Sequence, residues 1–95
     1  MNETLSGQSI IVVVKDLVSC DLAGEAAVLN LNNGIYYGLN PLGTRVWNLV
    51  QESKKVDQIR DILLEEYEVD PARCESDLLK LLGELADRGL IEVRA

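Results

Sequence analysis

The side chains that most often perform chemistry in proteins are scarce in this chain. It contains no histidine, which excludes Ser-His-Asp and Cys-His nucleophilic sites and every zinc site that uses His. Its two cysteines, Cys20 and Cys74, are far apart in sequence, and two thiolates are too few for a tetrathiolate zinc or iron–sulfur site. The residue inventory therefore predicts a protein that is not an enzyme and that carries no cofactor and no metal.

Acidic and glycine residues supply no second candidate for catalysis. Glu65, Glu66 and Glu68 are close in sequence, but they fall on the end of a predicted helix, where a solvated acidic face is the usual interpretation. Gly34 and Gly38 are not followed by the Gly-Lys-Ser/Thr of a phosphate-binding loop. The functional question is therefore one of binding.

Tyr36 and Tyr37 are the most unusual pair in a chain that has one Trp, three Tyr and no Phe. In a strand the two rings point to opposite faces of the sheet. Two interpretations stay open at this stage. One ring belongs to the core and the other is half-exposed on the strand, or the outward ring lines a groove for a peptide.

The elements that position these tyrosines can be predicted from local patterns. Asn33-Gly34 separates two apolar, β-favouring segments, which predicts strands over 26–31 and 35–39 joined by a type I′ turn. Pro41 cannot donate to a ladder and fits the first turn of a following helix. The strand over 35–39 carries no charge, although proteins normally blunt a free edge with charge or proline. Either the protein itself covers that edge, or a partner strand does.

The rest of the chain predicts an α+β fold. Segments 10–14 and 17–22 read as strands, which together with the hairpin make a meander of three or four antiparallel strands. Apolar spacing of three and four then predicts three helices and a short closing strand over 90–93. The helices begin at Pro41, Val56 and Pro71. A winged helix-turn-helix-like arrangement, with an N-terminal three-stranded antiparallel sheet followed by three α-helices, has this order of elements.

Two features of the helices bear on function. Trp47 is expected in the core, because apolar residues flank it in the first helix. The third helix carries a stripe of leucines that reads either as core or as one wall of a groove. The stripe consists of Leu78, Leu81, Leu82 and Leu85.

Length and charge limit the partners. Ninety-five residues predict one domain, 1–95, with 1–9 frayed. The net charge of −7 argues against nucleic acid, which needs a clustered basic surface. The longest apolar run, 10–14, is too short to span a membrane, and the N-terminus lacks the pattern of a signal peptide.

Both cysteines are expected to be buried or half-buried thiols in a reducing cytoplasm.

A series of short motifs resembles the PqqD-like family from about Val18 onward. In chain order the motifs are Gly24-Glu25, Val28-Leu29-Asn30-Leu31, Asn33-Gly34, Tyr36-Tyr37-Gly38-Leu39-Asn40, Gly43, Val46-Trp47, Tyr67-Glu68-Val69-Asp70, Asp77, Leu81-Leu82, Leu85 and Gly89-Leu90-Ile91. The Tyr-Tyr-Gly-Leu-Asn and Trp pattern resembles the free-standing members of lasso-peptide pathways. No single motif is unique, but their order and spacing are specific.

The resemblance implies a non-catalytic adaptor that binds the leader of a ribosomally made precursor peptide as an added strand, against the third helix. The implied partners are the leader peptide, a leader peptidase and an ATP-dependent macrolactam cyclase. The expected peptide-binding residues lie on the hairpin and on the third helix. They are Val28, Leu29, Ile35, Tyr36, Tyr37, Gly38, Leu39, Asp77, Leu78, Leu81, Leu82 and Leu85, with Asp77 expected to meet basic groups of the leader.

Three alternatives stay open. A PqqD-like chaperone would deliver its precursor to a radical SAM enzyme. A winged-helix DNA-binding regulator fits the order of the helices, but the third helix contains only Arg73, Lys80 and Arg88 as basic residues. A small structural subunit would pair its own edge strands in a dimer.

Overall fold

The structure, a computed structural model, describes residues 5–94. Its elements are β1 (Ile10–Val13), β2 (Leu17–Leu22), β3 (Glu25–Asn30), β4 (Ile35–Gly38), α1 (Pro41–Val50), β5 (Lys54–Lys55), α2 (Val56–Glu66), α3 (Pro71–Asp87) and β6 (Ile91–Arg94). The expected α+β class is confirmed, and the three helices begin at the predicted residues. No helix of the described part combines the length and the apolarity that a membrane crossing demands.

The strands form two small sheets rather than one meander. One sheet has the antiparallel order β2-β3-β4, and the other has the order β5-β1-β6. In the second sheet Ile11 lies opposite Val93 of β6 and opposite Lys54 of β5. The prediction that the N-terminal strand continues the meander therefore differs from the structure. Local pattern identifies a strand, but its partners here are far along the chain.

Residues 5–9 run along the start of α2. The carbonyl of Ser9 accepts from the N–H of Val56 at 2.9 Å, and the carbonyl of Gly7 accepts from the N–H of Asp57 at 3.0 Å. These contacts satisfy N–H groups that the first turn of a helix otherwise leaves without partners. Fraying was expected over 1–9. Residues 6–9 are instead hydrogen-bonded, and Leu5 packs against the core, while 1–4 lie outside the described residues.

The hairpin between β3 and β4 is present, but its turn differs from the prediction. A type I′ turn needs positive φ at both central residues, whereas Gly34 has φ 70° and Asn33 does not have positive φ. The loop spans four residues, 31–34, and the Gly34 N–H donates to the carbonyl of Asn30 at 2.8 Å. The Asn33 side chain accepts from the N–H of Ile35 at 2.9 Å. This side-chain contact favours the longer loop over the two-residue turn.

The helix boundaries follow the predicted signals. The Asn40 side chain accepts from the N–H of Gly43 at 2.7 Å, which caps α1 one residue before Pro41. Asp70 caps α3 in the same way, through the N–H of Arg73 at 3.1 Å. Gly89 has φ 74°, which suits the residue that follows a helix C-terminus.

The hydrophobic core lies between the two sheets and the three helices. Trp47 is 2% exposed, which confirms its expected place in the core. The most buried large side chains come from both sheets and all three helices, which is why the elements pack as one unit. They include Ile11, Val28, Val46, Ile59, Leu82, Leu85 and Leu90. Each such side chain stabilises the fold by about 1.5–3 kcal/mol.

Candidate functional site

The outer edge of β4 is open within residues 5–94. β4 pairs with β3 alone, at one border of its sheet. The N–H of Leu39 donates to the carbonyl of Ala26 at 2.8 Å, which fixes the phase of the antiparallel ladder. Because hydrogen-bonded and non-bonded pairs alternate along such a ladder, the backbone N–H and C=O groups of Tyr36 and Gly38 point away from β3. An extended chain lying beside β4 would bond to these groups.

The two tyrosines of β4 lie on opposite faces of the sheet, as predicted. Tyr37 lies opposite Val28, which is fully buried, and packs against the core. Tyr36 lies opposite Leu29 and is 58% exposed. The half-buried ring therefore belongs to the face that looks towards the helices, and the exposed ring belongs to the outer face.

α3 passes β4 in the opposite chain direction. At one end, the guanidinium carbon of Arg88 lies 5.4 Å from the centroid of the Tyr37 ring. At the other end, Asp77 and Leu81 share the wall of a hollow with Asn40, which follows β4. The open edge of β4 and the exposed side of α3 therefore form the two sides of one groove.

The groove continues into an apolar cavity of about 220 Å³ between the three helices. The cavity adjoins the hollow beside Asn40, which has a volume of about 200 Å³, because Leu42, Asp77 and Leu81 line both. The remaining cavity walls come from α1, from α3, from α2 and from the segment that joins α2 to α3. They are Val46, Leu63, Tyr67, Val69, Arg73, Cys74 and Leu78. We call the open edge of β4, the hollow and the cavity together the β4–α3 groove.

An ion pair joins α1 to the end of α2, next to the cavity. The Arg45 guanidinium forms two hydrogen bonds with the Glu66 carboxylate, and this contact holds the pKa of that carboxyl below its usual range. A lowered carboxyl pKa means that the stabilising contribution is present above the unfolded pKa and is lost as pH falls through the folded pKa. The pair therefore holds this wall of the groove at neutral pH.

The two cysteines differ in environment. Cys74 is buried in the cavity wall, as expected, whereas Cys20 is exposed on β2, so the expectation of a buried or half-buried thiol is wrong for Cys20. Cys20 lies opposite Ala27, on the sheet face away from the helices, where nothing in the described chain covers it. Burial raises the pKa of the Cys74 thiol, which lowers its thiolate fraction and its reactivity.

We expect a disulfide reagent such as DTNB to modify Cys20 rapidly and Cys74 at least ten-fold more slowly at pH 8. A ligand in the β4–α3 groove slows Cys74 further, because that thiol lines the cavity. In the Cys20→Ser variant only Cys74 can react, so the rise in absorbance after mixing with DTNB gives the rate of Cys74 alone. Modification of Cys74 at the rate of Cys20, with the fold intact, would contradict this placement.

The structure distributes the twelve expected site residues over three environments. Six reach the groove or its open edge: Ile35, Tyr36, Tyr37, Gly38, Asp77 and Leu81. Five have buried side chains: Val28, Leu39, Leu78, Leu82 and Leu85. Of these five, Leu78 also lines the cavity. Leu29 lies on the outer face of the sheet, opposite Tyr36.

Several residues that line the groove were not predicted as site residues, because they lie outside the hairpin and the leucine stripe. Leu42, Tyr67 and Val69 are 41%, 43% and 47% exposed, and all three line the cavity. Large apolar residues at helix ends, where polar residues are usual, were the available signal. Asn40, Arg73, Lys80, Glu84 and Arg88 were also absent from the expected set.

Comparison with known proteins gives one family match. The family described as coenzyme PQQ synthesis protein D (PqqD) matches residues 25–91, which include β3, β4 and the three helices. None of the curated proteins matches the chain.

Three solved structures are similar to this one. TbiB1 in complex with the TbiA(beta) leader peptide is 36% identical, with a TM-score of 0.81 over 85% of this chain and 94% of that chain. The PqqD truncation of Methylobacterium extorquens PqqCD, described as a stand-alone recognition element for ribosomally synthesized and post-translationally modified peptides, is 26% identical, with a TM-score of 0.77 over 93% and 94%. Lasso peptide synthetase B1 complexed with the leader peptide is 18% identical, with a TM-score of 0.77 over 85% and 95%, a likeness of fold alone.

Proposed function

We propose, because this chain belongs to the PqqD family, that it is a non-catalytic adaptor that binds the leader region of a ribosomally made precursor peptide by β-strand addition. The family match over 25–91 and the similarity to TbiB1, whose structure holds a leader peptide, support this function. The residue inventory agrees with it, since the chain has no histidine and two cysteines that lie on different elements.

The observation that carries the proposal is an open strand edge that leads into an apolar cavity. Main-chain hydrogen bonds to Tyr36 and Gly38 supply affinity that does not depend on sequence. Selectivity comes from alternate side chains of the bound strand, which face α3, and from apolar residues that enter the cavity beside Leu42 and Leu81. A disordered leader orders on binding, so its apolar anchors offset the entropy that it loses.

We also propose a pathway and partners for this adaptor, a description of its fold and its extent as a domain. The Tyr-Tyr-Gly-Leu-Asn and Trp pattern, which resembles free-standing members of lasso-peptide pathways, favours such a pathway. In it the adaptor presents its leader to a leader peptidase and a macrolactam cyclase. The description of the family by coenzyme PQQ synthesis supports the alternative of delivery to a radical SAM enzyme. Three helices that follow a β-hairpin support the winged helix-turn-helix description, and the core shared by both sheets supports one domain over 1–95.

Calorimetry with the TbiA(beta) leader and with the leader encoded beside this gene tests the function. We expect micromolar or tighter binding of one of the two at 1:1 stoichiometry, and at least thirty-fold weaker binding of a scrambled peptide of the same composition. Equal heats for leader and scrambled peptide would contradict the function.

Amide hydrogen exchange adds a positional test of strand addition. The N–H groups of Tyr36 and Gly38 face outward and should gain protection when the leader binds. The N–H of Tyr37 belongs to the β3–β4 ladder and should be protected already in the free protein. Unchanged exchange at Tyr36 and Gly38 under saturating leader would place the peptide elsewhere.

A further inference from the structure

Arg88 is the one arginine without a carboxylate partner among residues 5–94. Each of the other arginines is ion-paired in a chain of net charge −7. The pairs are Arg45–Glu66, Arg60–Asp57, Arg73–Asp77 and Arg94–Glu92. An unneutralised guanidinium is therefore a local exception on an acidic surface, and it lies at the β4–α3 groove.

The position of Arg88 is fixed by its backbone and by an aromatic ring. Arg88 is the C-cap of α3, and its N–H donates to the carbonyl of Glu84 at 3.1 Å. Its guanidinium carbon lies 5.4 Å from the centroid of the Tyr37 ring, within the range of a cation–π contact. Stacking on a ring uses the face of the guanidinium and leaves its N–H donors, which lie in the plane, available to an anion.

The two ends of the groove differ in charge. The Arg88 end carries a cation without a carboxylate partner, while the walls of the hollow at the other end carry Asp77, Lys80 and Glu84. A carboxylate on a bound strand would be attracted to the first end and repelled by the two acidic residues of the second. The charge of the groove therefore changes from one end to the other, and this difference gives a bound peptide a preferred register.

We propose, resting on the proposed leader-binding function, that Arg88 stacked on Tyr37 is a carboxylate subsite of the β4–α3 groove. The leaders that this protein selects carry an Asp or Glu whose side chain faces α3 beside Tyr37. Arg88 is thus a specificity-determining residue: main-chain pairing holds the strand, and the ion pair sets which stretch of the leader lies there.

Geometry also fixes the spacing of that acidic residue from the apolar anchor. Arg88, the C-cap of α3, lies seven positions after Leu81, about 10 Å along a helix. Residues of a strand that share a face are separated by about 7 Å per two residues. The acidic residue and the residue that contacts Leu81 therefore lie an even number of positions apart, two or four.

Selection from a displayed random-peptide library tests the subsite on the whole protein. We expect the wild type to enrich Asp or Glu at one position, two or four residues from an enriched apolar position. Arg88→Gln loses the acidic enrichment and keeps the apolar one. Arg88→Glu selects Lys or Arg at the same position, a reversal that a merely structural arginine would not produce. Arg94→Gln, which removes a paired arginine of β6, is the matched control and selects as the wild type does.

A double-mutant cycle on one selected peptide measures the coupling. Changing its acidic residue to the amide should weaken binding to the wild type about ten-fold and binding to Arg88→Gln less than two-fold. Circular dichroism and thermal unfolding confirm that the variants remain folded. Peptides enriched without any charge preference, or an equal loss on both proteins, would overturn the subsite and leave the proposed function standing. No enrichment of any peptide, together with no binding of the leaders tested by calorimetry, would overturn both.

Discussion

Gly38→Pro is expected to weaken leader binding strongly and to leave the fold intact. The Gly38 N–H faces away from β3, so its loss breaks no hydrogen bond of the β3–β4 ladder. Proline is tolerated on edge strands for this reason, and Tyr37 before it already has the extended backbone that proline requires. A proline here has no N–H to donate to the carbonyl of the bound peptide, and its ring lies where that carbonyl would approach. The peptide carbonyl is therefore left without a donor. An unsatisfied acceptor costs about 1–3 kcal/mol, which is about a five- to 150-fold loss of affinity.

Gly38→Ala is the matched control for this variant. A Cβ at this position meets no atom within 4 Å, and alanine keeps the N–H. We therefore expect Gly38→Ala to bind the leader within about two-fold of the wild type by fluorescence anisotropy, since it changes neither hydrogen bonding nor packing. If a folded Gly38→Pro protein bound as tightly as Gly38→Ala, pairing along β4 could not be the mode of recognition.

Leu81→Asp and Leu82→Ala are expected to separate binding from folding at neighbouring positions of α3. Leu81 is half-buried and lines both the hollow and the cavity. A carboxylate at this position would lose its hydration when an apolar side chain of the leader enters, so binding is disfavoured. We expect affinity for the leader to fall at least thirty-fold, about 2 kcal/mol. Because this side chain remains partly in contact with water, the free energy of unfolding should fall by less than 2 kcal/mol.

Leu82→Ala should give the reverse result. Leu82 is 0% exposed, and deleting a buried leucine side chain costs about 2–5 kcal/mol because it leaves a cavity. That cost is a large part of the stability of a small domain, which is about 5–15 kcal/mol. Urea unfolding followed by circular dichroism measures the loss, and calorimetry in the absence of urea measures the affinity of the folded fraction. A larger binding defect in Leu82→Ala than in Leu81→Asp would reverse the assignment of the two side chains.

Local signals in the sequence predicted the helices well. Asn40-Pro41 and Asp70-Pro71 each combine a side-chain cap with a proline at the first helical position, and Gly89 supplies a positive φ after α3. These signals depend on residues that are neighbours in the chain. The alternation of Tyr36 and Tyr37 is local in the same sense, and the faces on which the rings lie agreed with it.

Features that depend on distant contacts were not predictable in this way. The partners of β1 are β5 and β6, about forty and eighty residues later, and no pattern within a strand specifies its partner. The cavity escaped for the same reason, because its walls come from three helices. The predicted type I′ turn was wrong because the Asn33 side chain accepts from the N–H of Ile35. This bond favours a four-residue loop, and the preference of Asn-Gly for two-residue turns does not take it into account.

The second sheet has an engineering consequence. Ile10 and Arg94 are cross-strand partners in β1 and β6, so the first strand begins beside the end of the last strand, about 5 Å away. Residues 5–9 lead away from this point along the start of α2. None of the described residues that line the hollow or the cavity belongs to this sheet. Since the described chain starts only five residues before Ile10, a short linker can join its two ends in a circular permutant or in an insertion into a host loop. With the leader binding that we propose, such a unit would recruit leader-tagged substrates to an unrelated enzyme into which it is inserted.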